Sequence, residues 1–92
     1  MNNSLLITGG AGFIGSNFVH YWVKKYPNDK IIVLDKLTYA ANTNSLKKFI
    51  DNKEISLIKG DINNIDLVND ILQINEISHL INFAAESHVD KS

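Results

Sequence analysis

A chain of 92 residues, 45% hydrophobic and 21% charged, has the make-up of a soluble globular protein and is long enough to bury one modest core. A formal net charge of -1 and the lack of any basic run or stripe argue against a nucleic-acid surface, and the absence of cysteine excludes disulfides and thiolate metal sites. No apolar run is long enough to cross a membrane, and Met1-Asn2-Asn3-Ser4 lacks the positive region and cleavage site of a signal peptide, so a cytoplasmic location is expected.

The first element is an apolar run without alternation, from about Ser4 to Thr8, as expected for a strand buried on both faces of a parallel sheet. It stops at Gly9-Gly10-Ala11-Gly12-Phe13-Ile14-Gly15, where a helical pattern begins. Helix one is predicted from about Phe13 to Tyr26, with Ile14, Phe18, Tyr21 and Trp22 as its apolar stripe. Lys24 and Lys25 suit the negative end of its dipole, Pro27 stops it, and Asn28-Asp29 turns into the next strand. Strand two, Ile31-Ile32-Val33-Leu34, ends in Asp35, and a polar-ended loop follows from Lys36 to Asn44. A short helix from about Ser45 to Asp51 buries Leu46, Phe49 and Ile50 at helical spacing. Strand three covers about Glu54 to Lys59, with Gly60-Asp61 at its carboxyl end. Helix three, from about Ile65 to Gln73 and capped by Asn64 or Asn63, turns Ile65, Val68, Ile71 and Leu72 inward. Strand four runs from about His79 to Ala84, and Glu86 to Ser92 leaves it as a loop.

This β-α-β-α-β-α-β alternation, joined by right-handed crossovers, implies an α/β fold with a parallel sheet in the order 3-2-1-4. It is the first half of a Rossmann-type doubly wound sheet. Residues 1–92 thus read as the N-terminal part of a dinucleotide-binding domain, with the remaining strands and a substrate domain absent.

The glycines carry the functional reading. Gly10-x-Gly12-x-x-Gly15 fits the dinucleotide fingerprint, and Gly9-x-x-Gly12-x-x-Gly15 fits its short-chain dehydrogenase variant. The first pair would permit positive φ in a tight strand-to-helix turn. Gly12 would let the backbone approach a pyrophosphate, and Gly15 would let the helix pack closely on the strand. The helix start then aims free N–H groups and the positive end of its dipole at the phosphates. Asp35, twenty residues beyond Gly15 at the end of the second strand, stands where an acid accepts hydrogen bonds from the adenosine ribose.

Thr8-Gly9-Gly10-Ala11-Gly12-Phe13-Ile14-Gly15 resembles the extended short-chain dehydrogenases/reductases that act on nucleotide sugars. Leu34-Asp35-Lys36-Leu37-Thr38-Tyr39-Ala40 and Phe83-Ala84-Ala85-Glu86-Ser87-His88-Val89-Asp90, supported by Gly60-Asp61-Ile62, are similar to the dTDP-glucose 4,6-dehydratases among them. Ala41, Asn82 and Lys91 depart from that pattern, where glycine, histidine and arginine are usual. The resemblance covers the whole chain but only the N-terminal quarter or so of such an enzyme.

The resemblance implies NAD as cofactor. Gly9, Gly12 and Gly15, with the backbone of Phe13 and Ile14, would form the phosphate turn. Asp35 would take the ribose, Lys36, Leu37 and Thr38 would line the adenosine side, and Asp61 and Ile62 would meet adenine. Ala84 and Ala85 would run toward the nicotinamide, while Ser87 and His88 would border the sugar-nucleotide pocket. An acid at Asp35 repels a 2′-phosphate and favours NAD over NADP, with Lys36 beside it acting slightly the other way. The implied chemistry is internal redox on dTDP-glucose: hydride leaves carbon 4, water is eliminated across carbons 5 and 6, and the hydride returns at carbon 6. The Tyr-x-x-x-Lys pair and the Asp-Glu pair that serve this chemistry lie beyond Ser92 in the family, as do the usual dimer helices, so no catalytic residue is assigned here.

Other constellations carry less. Tyr21 and Lys25 match Tyr-x-x-x-Lys by spacing, but on helix one they read as a core residue and a surface residue. Ser87, His88 and Asp90 are too compressed for a hydrogen-bonded triad, and a helix-cap role for Ser87 competes with the pocket role. His20, His79 and His88 lack metal-ligand spacing, and His20 reads as exposed. Two further functional readings stand beside the dehydratase: a UDP-sugar epimerase or decarboxylase of the same superfamily, and a non-catalytic nucleotide-binding module.

Overall fold

Strand β1 (Ser4–Thr8) forms the middle of a four-stranded sheet in the order β3-β2-β1-β4, with all neighbours parallel. The computed structural model describes residues 3–37 and 43–83, with the backbone alone for residues 13 and 43–45. The other elements are α1 (Phe13–Lys25), β2 (Lys30–Asp35), α2 (Thr43–Asp51), β3 (Ile55–Lys59), α3 (Ile65–Ile74) and β4 (His79–Asn82). The topology and strand order are those expected from the alternation of elements.

Successive strand residues point to opposite faces, so each apolar strand feeds two cores. On one face Leu5, Ile7, Ile31, Val33 and Ile55 pack with Val19 and Val23 of α1 and Leu46 and Phe49 of α2. On the other, Leu6, Ile32 and Leu34 meet Ile71, with Leu67, Val68 and Leu72 of α3 partly buried around them. The crossovers β1-α1-β2 and β2-α2-β3 step one way and β3-α3-β4 steps back, which puts α3 on the opposite face when every crossover is right-handed. At about 25 cal/mol for each Å² of apolar surface buried, these two layers supply the main driving force for folding.

The faces of two helices, α1 and α3, differ from expectation. Ile14 and Tyr21 are 55% and 54% exposed, while Val19 and Val23 are buried and Phe18 and Trp22 are partly buried. The cause is Gly15, which must lie against the glycine turn; at 100° per residue that contact brings positions 18, 19, 22 and 23 onto the sheet and carries 14 and 21 off it. Ile65, expected to point inward, is 69% exposed, and Leu67 packs in its place. Ile65 opens the first turn of α3, and the inward stripe is set by Ile71 and its neighbours one turn away, Leu67 and Val68. His20 is half-buried rather than exposed, with its ring edge-on to Phe49 at 4.8 Å.

Boundaries moved by one or two residues. α1 ends at Lys25, with the Tyr26 N–H donating to the Trp22 carbonyl at 2.8 Å, and α2 begins at Thr43. Asn64 is the cap of α3, its side-chain oxygen accepting from the Leu67 N–H at 3.2 Å. The β4 ladder ends at Asn82, although the Phe83 N–H still donates to the Thr8 carbonyl at 2.8 Å; Ala84 lies outside the described residues.

Candidate functional site

At the carboxyl edge of the sheet, β1 gives way to a turn made almost wholly of backbone. Gly9 sits at φ 72°, in the left-handed region that glycine enters without steric cost, and its N–H donates to the Leu34 carbonyl at 2.9 Å. Its own carbonyl accepts from the Gly12 N–H at 3.1 Å, closing the turn. Gly10 has no positive φ, contrary to the expectation for the glycine pair; it is small because a β-carbon there would come within 2.7 Å of Val33 Cγ1. At Gly15 a β-carbon would strike the Gly9 carbonyl oxygen and come within 2.8 Å of Gly10 Cα. That close approach brings the first turn of α1 down onto the glycines. Gly12 caps the helix with no side-chain hydrogen bond, and its first turn holds no acidic residue. The start of α1 therefore offers backbone donors and a positive dipole end with no built-in anion, the arrangement that suits a phosphate.

β2 brings the acid to the same edge. Asp35 is 3% exposed. Its Oδ2 accepts from the Ala11 N–H at 3.0 Å and its Oδ1 from the Leu37 N–H at 2.9 Å. Leu37 holds a positive φ of 59°, uncommon for a bulky side chain, and this backbone turn aims its N–H back at the carboxylate. The neighbouring strand adds a third group: the Gly60 N–H donates to the Asp35 carbonyl at 3.0 Å. Beyond it Asp61 Oδ1 accepts from the Asn63 N–H at 2.8 Å in an Asx turn, and its Oδ2 lies 3.6 Å from Lys36 Nζ. Ile62 is half-buried beside it in the chain.

Gly9, Gly12, Gly15, Asp35, Lys36, Leu37, Asp61 and Ile62 are thus gathered by β1, β2 and β3 at one edge, with the backbone of Phe13 and Ile14 opening α1 above the turn. Thr38, Ala84, Ala85, Ser87 and His88 lie outside the described residues. Tyr21 is not at this edge's core but on the outer face of α1, where Lys25 Nζ sits 5.8 Å from its ring centre. Among the described residues no group of three or more metal-ligating side chains is present, and no helix is long and apolar enough to cross a membrane.

Two contacts escaped the sequence reading. The first is the bond from Ala11 to Asp35, which makes the acid part of the turn. The second joins Thr8 Oγ1, donating at 2.6 Å, to Asn82 Oδ1 across the β1–β4 pair. No local pattern announces it: the pairing follows from the β1–β4 register, which sets Thr8 beside Asn82.

This geometry recurs in known proteins. The model of the family described as GDP-mannose 4,6 dehydratase matches residues 6–92. A dTDP-glucose 4,6-dehydratase of Mycobacterium tuberculosis is 49% identical over 88 residues, 96% of this chain and 25% of that protein. The crystal structure of dTDP-glucose 4,6-dehydratase from Bacillus anthracis in complex with NAD superposes with a TM-score of 0.86 at 45% identity, covering 92% of this chain and 27% of that one. DesIV, a dTDP-glucose 4,6-dehydratase from Streptomyces venezuelae solved with NAD bound, gives 0.81 at 43% identity over 95% of this chain and 28% of its own. The chain spans about a quarter of the length of these relatives. The family match takes in both parts of the site, the glycine turn and the strand ends beside it, and the chain therefore belongs to the GDP-mannose 4,6 dehydratase family, within the extended short-chain dehydrogenases/reductases of nucleotide-sugar metabolism.

Proposed function

We propose that this chain is the NAD-binding segment of a nucleotide-sugar dehydratase that converts dTDP-glucose to dTDP-4-keto-6-deoxyglucose. The observation that carries the reading is the buried Asp35 carboxylate set against the glycine turn, where neither Gly10 nor Gly15 has room for a β-carbon. The backbone cradle and the acid fit the two ends of an adenosine diphosphate: N–H donors for the pyrophosphate, an acceptor for ribose hydroxyls. Identities of 43–49% to dTDP-glucose 4,6-dehydratases support the substrate class.

In this reading Gly9, Gly12, Phe13, Ile14 and Gly15 hold the pyrophosphate through backbone and dipole. Asp35 orients the adenosine ribose, with its own position fixed by Ala11 and Leu37. Lys36, Leu37, Asp61 and Ile62 border the adenosine. Thr38, Ala84, Ala85, Ser87 and His88 are assigned to the cofactor and sugar-nucleotide sides by resemblance. When bound, NAD supplies a reversible acceptor for hydride. What this chain contributes is binding and orientation, which convert a diffusing cofactor into a fixed one.

The test uses the full native protein: calorimetric titration with NAD, then turnover of dTDP-glucose followed by the absorbance of the 4-keto product in base. Saturable NAD binding with dehydration of dTDP-glucose is expected. NAD binding with turnover of UDP-sugars alone would move the reading to an epimerase or decarboxylase, and binding without turnover of any sugar nucleotide would leave a binding module. No NAD binding would overturn the site itself.

A further inference from the structure

The mouth of the site beside Asp35 carries a charge arrangement that the binding reading does not use. Lys36 follows the acid directly, and its ammonium would be the natural counter-charge for a phosphate on the adenosine 2′-oxygen. In the structure it is turned elsewhere: its Nζ lies 3.6 Å from Asp61 Oδ2, bridging the ends of β2 and β3, with the two side chains 54% and 41% exposed. Asp61 is itself held in place, its other oxygen accepting from the Asn63 N–H and its carbonyl from the Asn64 N–H at 2.9 Å. The carboxylate of Asp35, next to Lys36 in the chain, is buried. A 2′-hydroxyl meets an acceptor here. A 2′-phosphate, bringing close to two negative charges, meets a carboxylate and a cation that another carboxylate already engages.

Resting on the reading of this edge as a dinucleotide site, we infer that Asp61 is a specificity-determining residue: by holding Lys36, it biases the site toward the dinucleotide with an unphosphorylated adenosine ribose. Any contact Asp61 makes with adenine is common to NAD and NADP, so it cancels in the ratio of their dissociation constants. The Lys36 contribution does not cancel, because only one of the two ligands carries the extra phosphate. Lys59 stands opposite Asp35 in the β2–β3 register and is exposed as well, so release of Lys36 has to be told apart from a general gain of positive potential.

The experiment measures NAD and NADP dissociation constants by calorimetry for the full native protein and for Asp61→Asn, Lys36→Met and the double variant, at low salt. Asp61→Asn is expected to improve NADP relative to NAD by about three- to tenfold, the modest scale of exposed ion pairs, with the gain fading as salt rises. Lys36→Met in the Asp61→Asn background is expected to return the ratio close to that of Lys36→Met alone. An unchanged ratio in Asp61→Asn, or a gain that survives in the double variant, would overturn the inference. Wild-type protein that binds NADP as tightly as NAD would also overturn it while leaving the site reading intact. Wild-type protein that binds neither would remove both.

Discussion

The Asp35 carboxylate reaches back to the Ala11 N–H at 3.0 Å and so fastens the end of β2 to the glycine turn that follows β1. Ala11 is fully buried, which leaves its N–H no water to turn to if the acid is removed. Asp35→Ala should therefore destabilise the protein by about 2 kcal/mol, the scale of a charge-assisted hydrogen bond with a buried donor left unpaired, besides weakening NAD at least about tenfold. Asp35→Asn retains one acceptor oxygen and should recover part of the stability without restoring full affinity. Urea melts and NAD titrations on the three proteins check this, and equal stability for wild type and Asp35→Ala would show the Ala11 contact to be idle.

Gly15→Ala probes the closeness of α1 to the turn. The new methyl would meet the Gly9 carbonyl oxygen and Gly10 Cα, both backbone, so the helix start must move. The helix propensity gained, about 1 kcal/mol, is smaller than the cost of forcing that shift, about 1–3 kcal/mol, so a net loss of stability and of NAD affinity is expected. Gly60→Ala is the useful contrast. Its β-carbon would meet Leu67 Cδ2 at 2.5 Å, the end of a side chain that can rotate, and thermal melts should show the smaller loss there.

At the opposite end of the sheet, Asp29 receives the Asn3 N–H and the Trp22 indole N–H, each at 2.9 Å. The Asn3 backbone bond first, then the Trp22 bond, hold its carboxyl below the ordinary value of 3.8. A depressed folded-state pKa means that the stabilisation is complete above the unfolded value and disappears as pH falls through the folded one. Trp22→Phe should lower Tm at pH 7, and the pH-dependent part of the gap should close below about pH 4. Melts from pH 7 to pH 3 measure it; a gap constant across that range would mean that Trp22 acts through packing alone.

Thr8 and Asn82 offer a cleaner pair, since Thr8→Val preserves shape and deletes the donor. A loss of about 1 kcal/mol is expected, and a double-mutant cycle with Asn82→Ala should give a coupling of similar size. Additive losses in chemical denaturation would show that the two side chains are independent.

The strands, the strand order and the position of the acid were legible in the sequence because apolar runs, glycines and a spaced carboxylate each have a local physical cause. The Asn64 cap was legible for the same reason. The phase of α1 was not. Hydrophobicity alone placed Ile14 and Tyr21 toward the sheet, whereas the contact that fixes the helix is made by Gly15, which has no hydrophobic signal. The bonds from Thr8 to Asn82 and from Ala11 to Asp35 were hidden for another reason: they depend on register between strands, which no local pattern encodes.

The central place of β1 also shapes how the chain is made. Its β4 neighbour is 74 residues away in sequence, as the Thr8–Asn82 bond records. At ordinary translation rates of roughly 5–20 residues per second, that interval lasts about 4–15 s. During it β2 and β3 can assemble on one side of β1 while the other side, with Leu5, Leu6 and Ile7, shows an unpaired edge to solvent or to a chaperone. Closing the longest loop then comes last, so substitutions at Thr8 or Asn82 should speed unfolding far more than they slow folding.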